Sequence, residues 1–331
     1  MKLELRSHNF PVWQGTVSLE KTDDWIKPWR IPYESRNLFY HQLCIRAAMP
    51  AGVRIIFRSD TSYIEGKIEP QLEESQIDLY CDEIFIKSIS LKQKDKFVFS
   101  DLANVDKLIE LWLPQKGELK LKALEIADDA SFTTVEDNRP RWITYGSSIT
   151  QCSAAESPSQ TWPAIVARKS GLNLTCLGFG GQCHLDPIIA QLIRDLPADF
   201  ISICAGINIY GSASLSPRSF RQALIGTIQT IREKHTNIPI VLISPIYSPP
   251  REKTENAVGF TLEDMRIEVA TAVEDLMDHG DQKLYYVEGL QIFGIDLVEM
   301  LPDQLHPNSE GYKALAEKFI QQIVNKFFIT Q

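Results

Sequence analysis

The stretch WITYGSSIT, residues 142–150, marks the point at which the chain changes from one kind of fold to another. Its first residues are mostly apolar and lead to a glycine, and two serines follow. A strand that ends in a tight turn and enters a helix has this pattern. Two serines at such a turn either cap the helix or include a nucleophile, so residues elsewhere in the chain must decide between these interpretations.

Downstream of residue 138, segments typical of strands alternate with segments typical of helices. The predicted strands are 141–145, 174–177, 200–205, 240–243 and 284–287, and the predicted helices are 161–170, 186–196, 217–235, 262–278 and 308–328. The helix at 217–235 is amphipathic, because Phe220, Leu224, Ile228 and Ile231 recur three and four residues apart. Five alternations predict an α/β domain with a five-stranded parallel sheet and helices on both faces.

Residues 1–138 have a different character, with short extended segments and no obvious helix of ordinary length. The predicted strands are 53–59, 76–81, 84–89, 96–99, 108–113 and 118–126, and the last of these alternates between apolar and polar residues. Short strands separated by Gly, Pro and Asp are typical of a sandwich or jelly roll. We therefore predict an all-β sandwich domain over residues 1–138 and an α/β domain over residues 139–331.

Composition and charge exclude several classes of function. The net charge of −9 argues against a nucleic-acid partner, because a negative surface repels phosphates. The longest apolar runs are too short to span a bilayer. Residues 1–10 lack the apolar core of a secretory signal, so we expect a cytoplasmic protein, in which the thiols are reduced. The six cysteines form no CxxC pair and their spacing does not suit zinc, so we expect no metal and no cofactor.

Polar residues and glycines collect in the loops that follow the predicted strands. They are Ser147 and Ser148 after the first strand, Gly178, Gly180, Gly181 and His184 after the second, Gly206 and Asn208 after the third, and Asp303 and His306 before the last helix. The carboxyl ends of parallel strands meet at one edge of the sheet, where ligands bind. A serine needs a base to become a nucleophile, histidine suits that task, and a carboxylate fixes its tautomer, so this set favours acyl transfer.

Four short blocks resemble those of the GDSL, or SGNH, hydrolase superfamily and occur in the same order. They are Gly146-Ser147-Ser148-Ile149, Gly178-Phe179-Gly180-Gly181, Gly206-Ile207-Asn208 and Asp303-Gln304-Leu305-His306-Pro307. The resemblance implies a flavodoxin-like fold and a serine esterase or acyltransferase that acts on a small ester, such as an acylated sugar or natural product. The β-rich first half resembles the N-terminal sandwich of one branch of the superfamily.

The resemblance also implies a role for each matching residue. Ser148 would be the nucleophile, His306 the base and Asp303 the residue that orients it. The N–H groups of Ser148 and Gly181 and the side chain of Asn208 would form the oxyanion hole. The chain departs from the family pattern at Ser147 and Ile209, where an aspartate is usual; the substitutions affect the expected substrate more than the reaction class.

Some residues and functions have competing interpretations. Ser147 is interpreted as a turn residue, whereas His184 either contacts the substrate or is only a loop residue next to a helix that Asp186 would cap. Trp25 and Trp29 suit sugar stacking, but packing is the favoured interpretation.

A dinucleotide-binding oxidoreductase is a weak alternative, because Gly178-Phe179-Gly180 follows the second strand and lacks the third glycine. A carbohydrate-binding protein with little or no catalysis is the main alternative.

Overall fold

The chain divides into two units in the computed structural model, which describes residues 1–3 and 12–328. The first unit comprises Met1–Arg139, Glu156–Ala164 and Asn173–Cys176. The second comprises Pro140–Ala155, Ile165–Leu172 and Leu177–Gln331. The nucleophile turn predicted from the sequence, at residues 146–148, lies in the second unit.

Two antiparallel sheets form the first unit. Its strands are β1 (Trp13–Gln14), β2 (Ser18–Lys21), β3 (Ile26–Trp29), β4 (Arg54–Ser59), β5 (Ile64–Ile68), β6 (Gln76–Cys81), β7 (Ile84–Ser90), β8 (Lys96–Phe99), β9 (Lys107–Trp112), β10 (Leu121–Ile126) and β11 (Thr133–Thr134). One sheet has the order β1-β4-β9-β6-β7 with β11 beside β4, and the other has the order β2-β3-β10-β5-β8. Buried apolar side chains of both sheets make one core, among them Phe57, Leu79, Ile64 and Phe97. The prediction of an all-β sandwich is confirmed.

The first unit also contains elements that the sequence did not reveal. A helix, α1 (His41–Ala47), follows a 3₁₀ segment at Tyr33–Leu38. The strand β5 was missed because Gly66 interrupts its apolar pattern; a Cβ there would lie 2.0 Å from the Phe97 ring, so the glycine makes room for that ring. The predicted strand 118–126 begins only at Leu121, where an irregularity in the pairing with β5 breaks the alternation.

A buried carboxylate holds part of the first unit together. Asp78 on β6 is fully buried, and its Oδ2 accepts hydrogen bonds from Ser157 Oγ at 2.5 Å, from Ser159 N–H at 2.9 Å and from Ser159 Oγ at 2.6 Å. Hydrogen bonds to a charged acceptor are stronger than those between neutral groups. This carboxylate therefore fixes the segment 156–164.

Replacing Asp78 by alanine is expected to lower the free energy of unfolding by about 3 kcal/mol, because the buried donors of Ser157 and Ser159 lose their acceptor. Urea denaturation followed by circular dichroism measures the change. The control Asp78→Asn keeps an acceptor oxygen and should cost less than the alanine. An unchanged denaturation midpoint for Asp78→Ala would show that the carboxylate contributes nothing.

A five-stranded parallel sheet is formed by β12 (Arg141–Gly146), β13 (Asn173–Gly178), β14 (Phe200–Cys204), β15 (Ile240–Ile243) and β16 (Leu284–Val287). The α-helices in this part of the chain are α2 (Ser148–Gln151), α3 (Trp162–Lys169), α4 (Pro187–Asp195), α5 (Ile207–Ser212), α6 (Pro217–Arg232), α7 (Leu262–Asp278), α8 (Gly289–Ile292) and α9 (Ser309–Phe319). The predicted α/β class is confirmed, and the periodic apolar residues of α6 are all buried. Shorter 3₁₀ segments lie at Pro158–Gln160, Pro249–Arg251 and Ile295–Met300.

The strand order β13-β12-β14-β15-β16 decides where a site forms. The pairs β12–β14, β14–β15 and β15–β16 are parallel. The first strand in sequence thus lies between the second and the third, and the loops after these neighbours open at the same edge, at the switch in strand order. Ser148, Gly181 and Asn208 follow these three strands.

Two of the predicted helices differ in detail. The last one is an α-helix only over Ser309–Phe319 and continues as a π-helix over Ile320–Phe328. Asp186 occupies the N-cap position of α4, as expected, but its side chain makes no capping hydrogen bond.

Candidate active site

The nucleophile turn connects β12 to α2. Ser147 occupies the N-cap position, and its Oγ accepts a hydrogen bond from Ile149 N–H at 3.2 Å, so it acts as the turn residue that the sequence indicated. Gly146 allows the close approach of α2, since a Cβ at this position would lie 2.2 Å from Thr150 Oγ1. Ser148 is then the first residue of the helix.

Ser148, His306 and Asp303 form a continuous hydrogen-bonded chain. Ser148 Oγ lies 2.8 Å from His306 Nε2, and His306 Nδ1 lies 2.6 Å from Asp303 Oδ2. The carboxylate accepts only, so Nδ1 carries the hydrogen of this bond and Nε2 is left to accept the hydrogen of the serine hydroxyl. Ser148 and His306 are 158 positions apart in the sequence, yet they meet with the geometry that deprotonation of the serine requires.

The Asp303 carboxylate also holds its own loop. Its Oδ1 accepts from Leu305 N–H at 3.0 Å and from His306 N–H at 2.7 Å, while Oδ2 holds the imidazole. Partial burial acts to raise the pKa of Asp303, but the hydrogen bonds from the His306 ring and backbone outweigh it, and the pKa lies below its ordinary value. Asp303 is therefore ionised at neutral pH and can stabilise a protonated imidazole.

Two further predicted site residues follow the neighbouring strands: Gly181 lies in the loop after β13, and Asn208 is the second residue of α5, which follows β14. Gly181 has a φ of +72°, which favours glycine, and a Cβ there would meet nothing within 4 Å. Asn208 Oδ1 accepts a hydrogen bond from Cys183 N–H at 3.0 Å. Because this bond holds the amide oxygen, the Nδ2 end of Asn208 is the end oriented to donate elsewhere.

Gln151 is a buried residue of the site region that the sequence did not indicate. Its Oε1 accepts a hydrogen bond from Gly180 N–H at 2.8 Å, and a Cβ on Gly178 would lie 2.4 Å from its backbone nitrogen. Gln151 thus connects α2 to the glycine loop that contains Gly181. In the sequence, only the position of this glutamine, three residues after Ser148, offered a signal.

His184 lies beside Gly181 and takes no part in the hydrogen-bonded chain of Ser148, His306 and Asp303. Its Nε2 is 3.1 Å from Gly181 O and its Nδ1 is 2.8 Å from Ser214 Oγ. A carbonyl oxygen can only accept, so Nε2 carries the hydrogen and Nδ1 accepts from Ser214. His184 also borders a cavity of about 490 Å³ between α4 and α6.

The two departures from the family pattern have different structural settings. Ser147 replaces the usual aspartate within the turn and retains a capping role through its hydroxyl. Ile209 is fully buried in α5. Neither residue takes part in the Ser148–His306–Asp303 chain.

Replacing Ser147 by alanine should leave Ser148 reactive. The change removes the hydrogen bond to Ile149 N–H and is expected to cost about 1 kcal/mol of stability. Labelling with a fluorophosphonate probe, read by intact mass spectrometry, should therefore reach the same end point as in the unmodified protein. Complete loss of labelling in a folded Ser147→Ala protein would contradict the assignment of Ser147 as a turn residue.

Within residues 1–3 and 12–328, no group of three or more His, Cys, Asp or Glu side chains is arranged to hold a metal ion. In the same part of the chain, no helix is both long enough and apolar enough to cross a membrane.

The chain is similar to known proteins over nearly its whole length. Residues 140–324 match the model of the GDSL-like lipase/acylhydrolase family, and residues 12–122 match that of the SsfX3 N-terminal domain. The salicylyl-acyltransferase SsfX3 from a tetracycline biosynthetic pathway is 33% identical, with 96% of each chain covered and a TM-score of 0.88. No curated protein gives a significant match.

Two other solved structures share the fold at lower identity. A GDSL-like lipase from Bacteroides ovatus is 22% identical over 95% of this chain and 94% of its own, with a TM-score of 0.79. A family two carbohydrate esterase from Clostridium thermocellum, in complex with cellohexaose, is 16% identical over 84% and 93%, with a TM-score of 0.66.

Proposed function

Since the chain belongs to the GDSL-like lipase/acylhydrolase family, we propose that it is a serine enzyme that moves the acyl group of a small ester onto Ser148 and then onto water or another acceptor. The observation that carries the proposal is the hydrogen-bonded chain from Ser148 Oγ through His306 to Asp303, at 2.8 and 2.6 Å. These are the distances over which a general base removes a proton.

The proposed mechanism has two halves. His306 Nε2 takes the hydroxyl proton while Ser148 Oγ attacks the ester carbonyl, and the resulting oxyanion accepts hydrogen bonds from Ser148 N–H, Gly181 N–H and Asn208 Nδ2. The tetrahedral intermediate collapses, and the alcohol leaves with the proton from His306. Water or an acceptor alcohol then gives its proton to His306 and attacks the acyl-enzyme. The second tetrahedral intermediate collapses, Ser148 Oγ takes that proton back from His306, and the acid or the new ester leaves.

A panel of esters tests the reaction class. Acetyl, aryl and longer acyl esters, with sugar acetates included, are incubated with the protein in the presence and absence of competing alcohols, and the products are analysed by mass spectrometry. The proposal predicts release of the alcohol together with free acid, a new ester, or both. New esters formed at the expense of free acid would identify an acyltransferase, the activity named for the relative that is 33% identical. Failure to turn over any ester and to label Ser148 would contradict the proposal.

The alternative of a non-catalytic carbohydrate-binding protein draws on Trp25 and Trp29 of the first half. Trp29 is buried, and its Nε1 donates to Glu20 at 3.0 Å, which supports the packing interpretation. Trp25 is partly exposed, and the ammonium groups of Lys27 and Lys120 lie 5.8 and 5.0 Å from its ring. Binding of an oligosaccharide without any ester turnover would favour the alternative.

We extend the proposal to His184 and the adjacent cavity, which would receive the acyl group or the acceptor. The volume of about 490 Å³ suits a small organic group. Its lining is largely small or apolar and includes Leu185, Ala190, Ala223 and Gly226. His184 connects this cavity to Gly181, which donates to the oxyanion in the proposed mechanism.

Filling this cavity should change substrate preference. A Cβ on Gly226 would meet nothing within 4 Å, so a leucine at this position enters open space on α6. Gly226→Leu is expected to raise KM for aryl or long acyl esters about tenfold and to leave acetyl esters unaffected. Steady-state kinetics on both ester classes measures the effect, with Gly226→Ala as the control. Equal KM changes for acetyl esters and for aryl or long acyl esters would exclude the cavity as the binding site for the aryl or acyl group.

A further inference from the structure

The peptide bond between Gln304 and Leu305 lies in the middle of the loop that carries Asp303 and His306. Its N–H donates to Asp303 Oδ1 at 3.0 Å, and its carbonyl accepts from Ser248 Oγ at 2.7 Å. A trans peptide is planar, and its C=O and N–H groups point in opposite directions. A donor that fixes the carbonyl therefore also fixes the N–H that holds Asp303.

The backbone of Gln304, on one side of this peptide, is strained. Its φ is +61°, in the left-handed region that residues with a Cβ rarely adopt. Rotation of the Gln304–Leu305 peptide changes ψ of Gln304 and φ of Leu305, so it would leave this strain in place but would turn the Leu305 N–H away from the Asp303 carboxylate. The hydrogen bond from Ser248 opposes that rotation.

Ser248 is itself held by charged side chains. It is almost fully buried, and its N–H donates to Glu252 Oε1 at 2.8 Å. Arg251 Nη1 donates to Ser248 Oγ at 2.9 Å, so the hydroxyl accepts from the arginine and directs its own hydrogen to the Gln304 carbonyl. Glu252 is in turn paired with Arg266 of α7 through two bonds of 2.7 and 2.8 Å, and both side chains are largely buried.

We propose that Ser248 is a positioning residue for the catalytic pair, acting through the Gln304–Leu305 peptide on Asp303 and through Asp303 on His306. The proposal rests on the proposed function, because it assumes that His306 removes the proton of Ser148. Ser248 touches no reacting atom and lies outside the four sequence blocks of the family. Loss of its hydroxyl should therefore slow the chemical step without weakening the binding of the ester.

For the test, kcat and KM are measured for the unmodified full chain and for Ser248→Ala, Ser248→Thr and Arg251→Ala, on an aryl ester that the unmodified protein hydrolyses. The rate of fluorophosphonate labelling is measured for the same proteins. Ser248→Ala is expected to lower kcat and the labelling rate about tenfold, with KM within about twofold, because a small misplacement of the base slows the reaction strongly. Ser248→Thr keeps the hydroxyl and should recover most of the rate. Arg251→Ala keeps the serine but removes the bond to its Oγ and a longer bond of 3.4 Å to the Gln304 carbonyl, so it should lower kcat by a smaller factor, about threefold.

Ser202→Ala is the matched control for a lost buried hydroxyl. Ser202 accepts from Trp142 Nε1 at 3.0 Å and donates to Thr144 Oγ1 at 3.0 Å on the sheet, away from the loop of Asp303. If Ser248→Ala retains the full kcat, or if Ser202→Ala loses as much, the positioning role is wrong. If the unmodified protein neither hydrolyses esters nor reacts with the probe, the proposed function is wrong instead.

Discussion

Replacing Ser148 by alanine is expected to abolish ester turnover and covalent labelling. The variant keeps the turn of Gly146 and Ser147 but removes the Ser148 Oγ that lies 2.8 Å from His306 Nε2. Loss of the nucleophile in a serine hydrolase lowers kcat by a factor on the order of 10⁴ to 10⁶. Steady-state kinetics on the best ester, together with intact mass after treatment with the fluorophosphonate, measures both effects.

The neighbouring variant Ser147→Ala is the internal control, because it makes the same chemical change one residue earlier. Circular dichroism and the melting temperature show whether each variant is folded. A folded Ser148→Ala protein that is still labelled, or that still turns over the ester at the original rate, would assign the nucleophile elsewhere. Peptide mapping of the labelled protein would then identify the reacting residue.

Replacing Asp303 by asparagine is expected to produce the second large loss. The side chain keeps its shape, and one oxygen can still accept from the N–H groups of Leu305 and His306. The amide NH₂, however, now faces His306 Nδ1 and donates to it, which moves the ring hydrogen to Nε2. A ring protonated at Nε2 cannot accept the proton of Ser148, and this wrong tautomer lowers kcat by about 10⁴-fold in a triad of the same kind.

The pH dependence of activity gives a second test of the Asp303 carboxylate. Because the pKa of Asp303 lies below its ordinary value, its carboxylate remains charged through the mildly acidic range, so protonation of Asp303 should not limit activity there. Asp296→Asn removes an exposed carboxylate of the preceding 3₁₀ segment and serves as the charge-matched control. An Asp303→Asn protein with an unchanged kcat would show that the carboxylate has no part in the reaction.

The sequence predicts those site residues that come directly after a recognisable strand. Ser148, Gly181 and Asn208 each follow a strand whose apolar run is readable, and the parallel order then brings the three loops together. Asp303 and His306 are grouped with Ser148 because they follow the last strand and suit its chemistry, whereas the role of each residue rests on the family resemblance. In the structure, Ser148 Oγ lies 2.8 Å from His306 Nε2, and His306 Nδ1 lies 2.6 Å from Asp303 Oδ2.

The supporting contacts were not predictable in the same way. Gln151 and Ser248 act through single hydrogen bonds to backbone groups, and a polar residue in a loop has many possible partners. In the first half, Pro28 within β3 and Gly66 within β5 hid two strands, because both residue types normally argue against a strand interior. Tertiary packing, such as the Phe97 ring over Gly66, outweighed these local preferences.

The burial of Ile209 in α5 has a consequence for the charge of the molecules that the site can admit. An aspartate after Asn208 would place a formal negative charge on the helix next to the proposed oxyanion donor, and it would repel an anionic substrate by Coulomb interaction. An isoleucine that is fully buried contributes no such field. Acyl donors or acceptors that carry a carboxylate or a phenolate therefore meet no electrostatic barrier from this side chain.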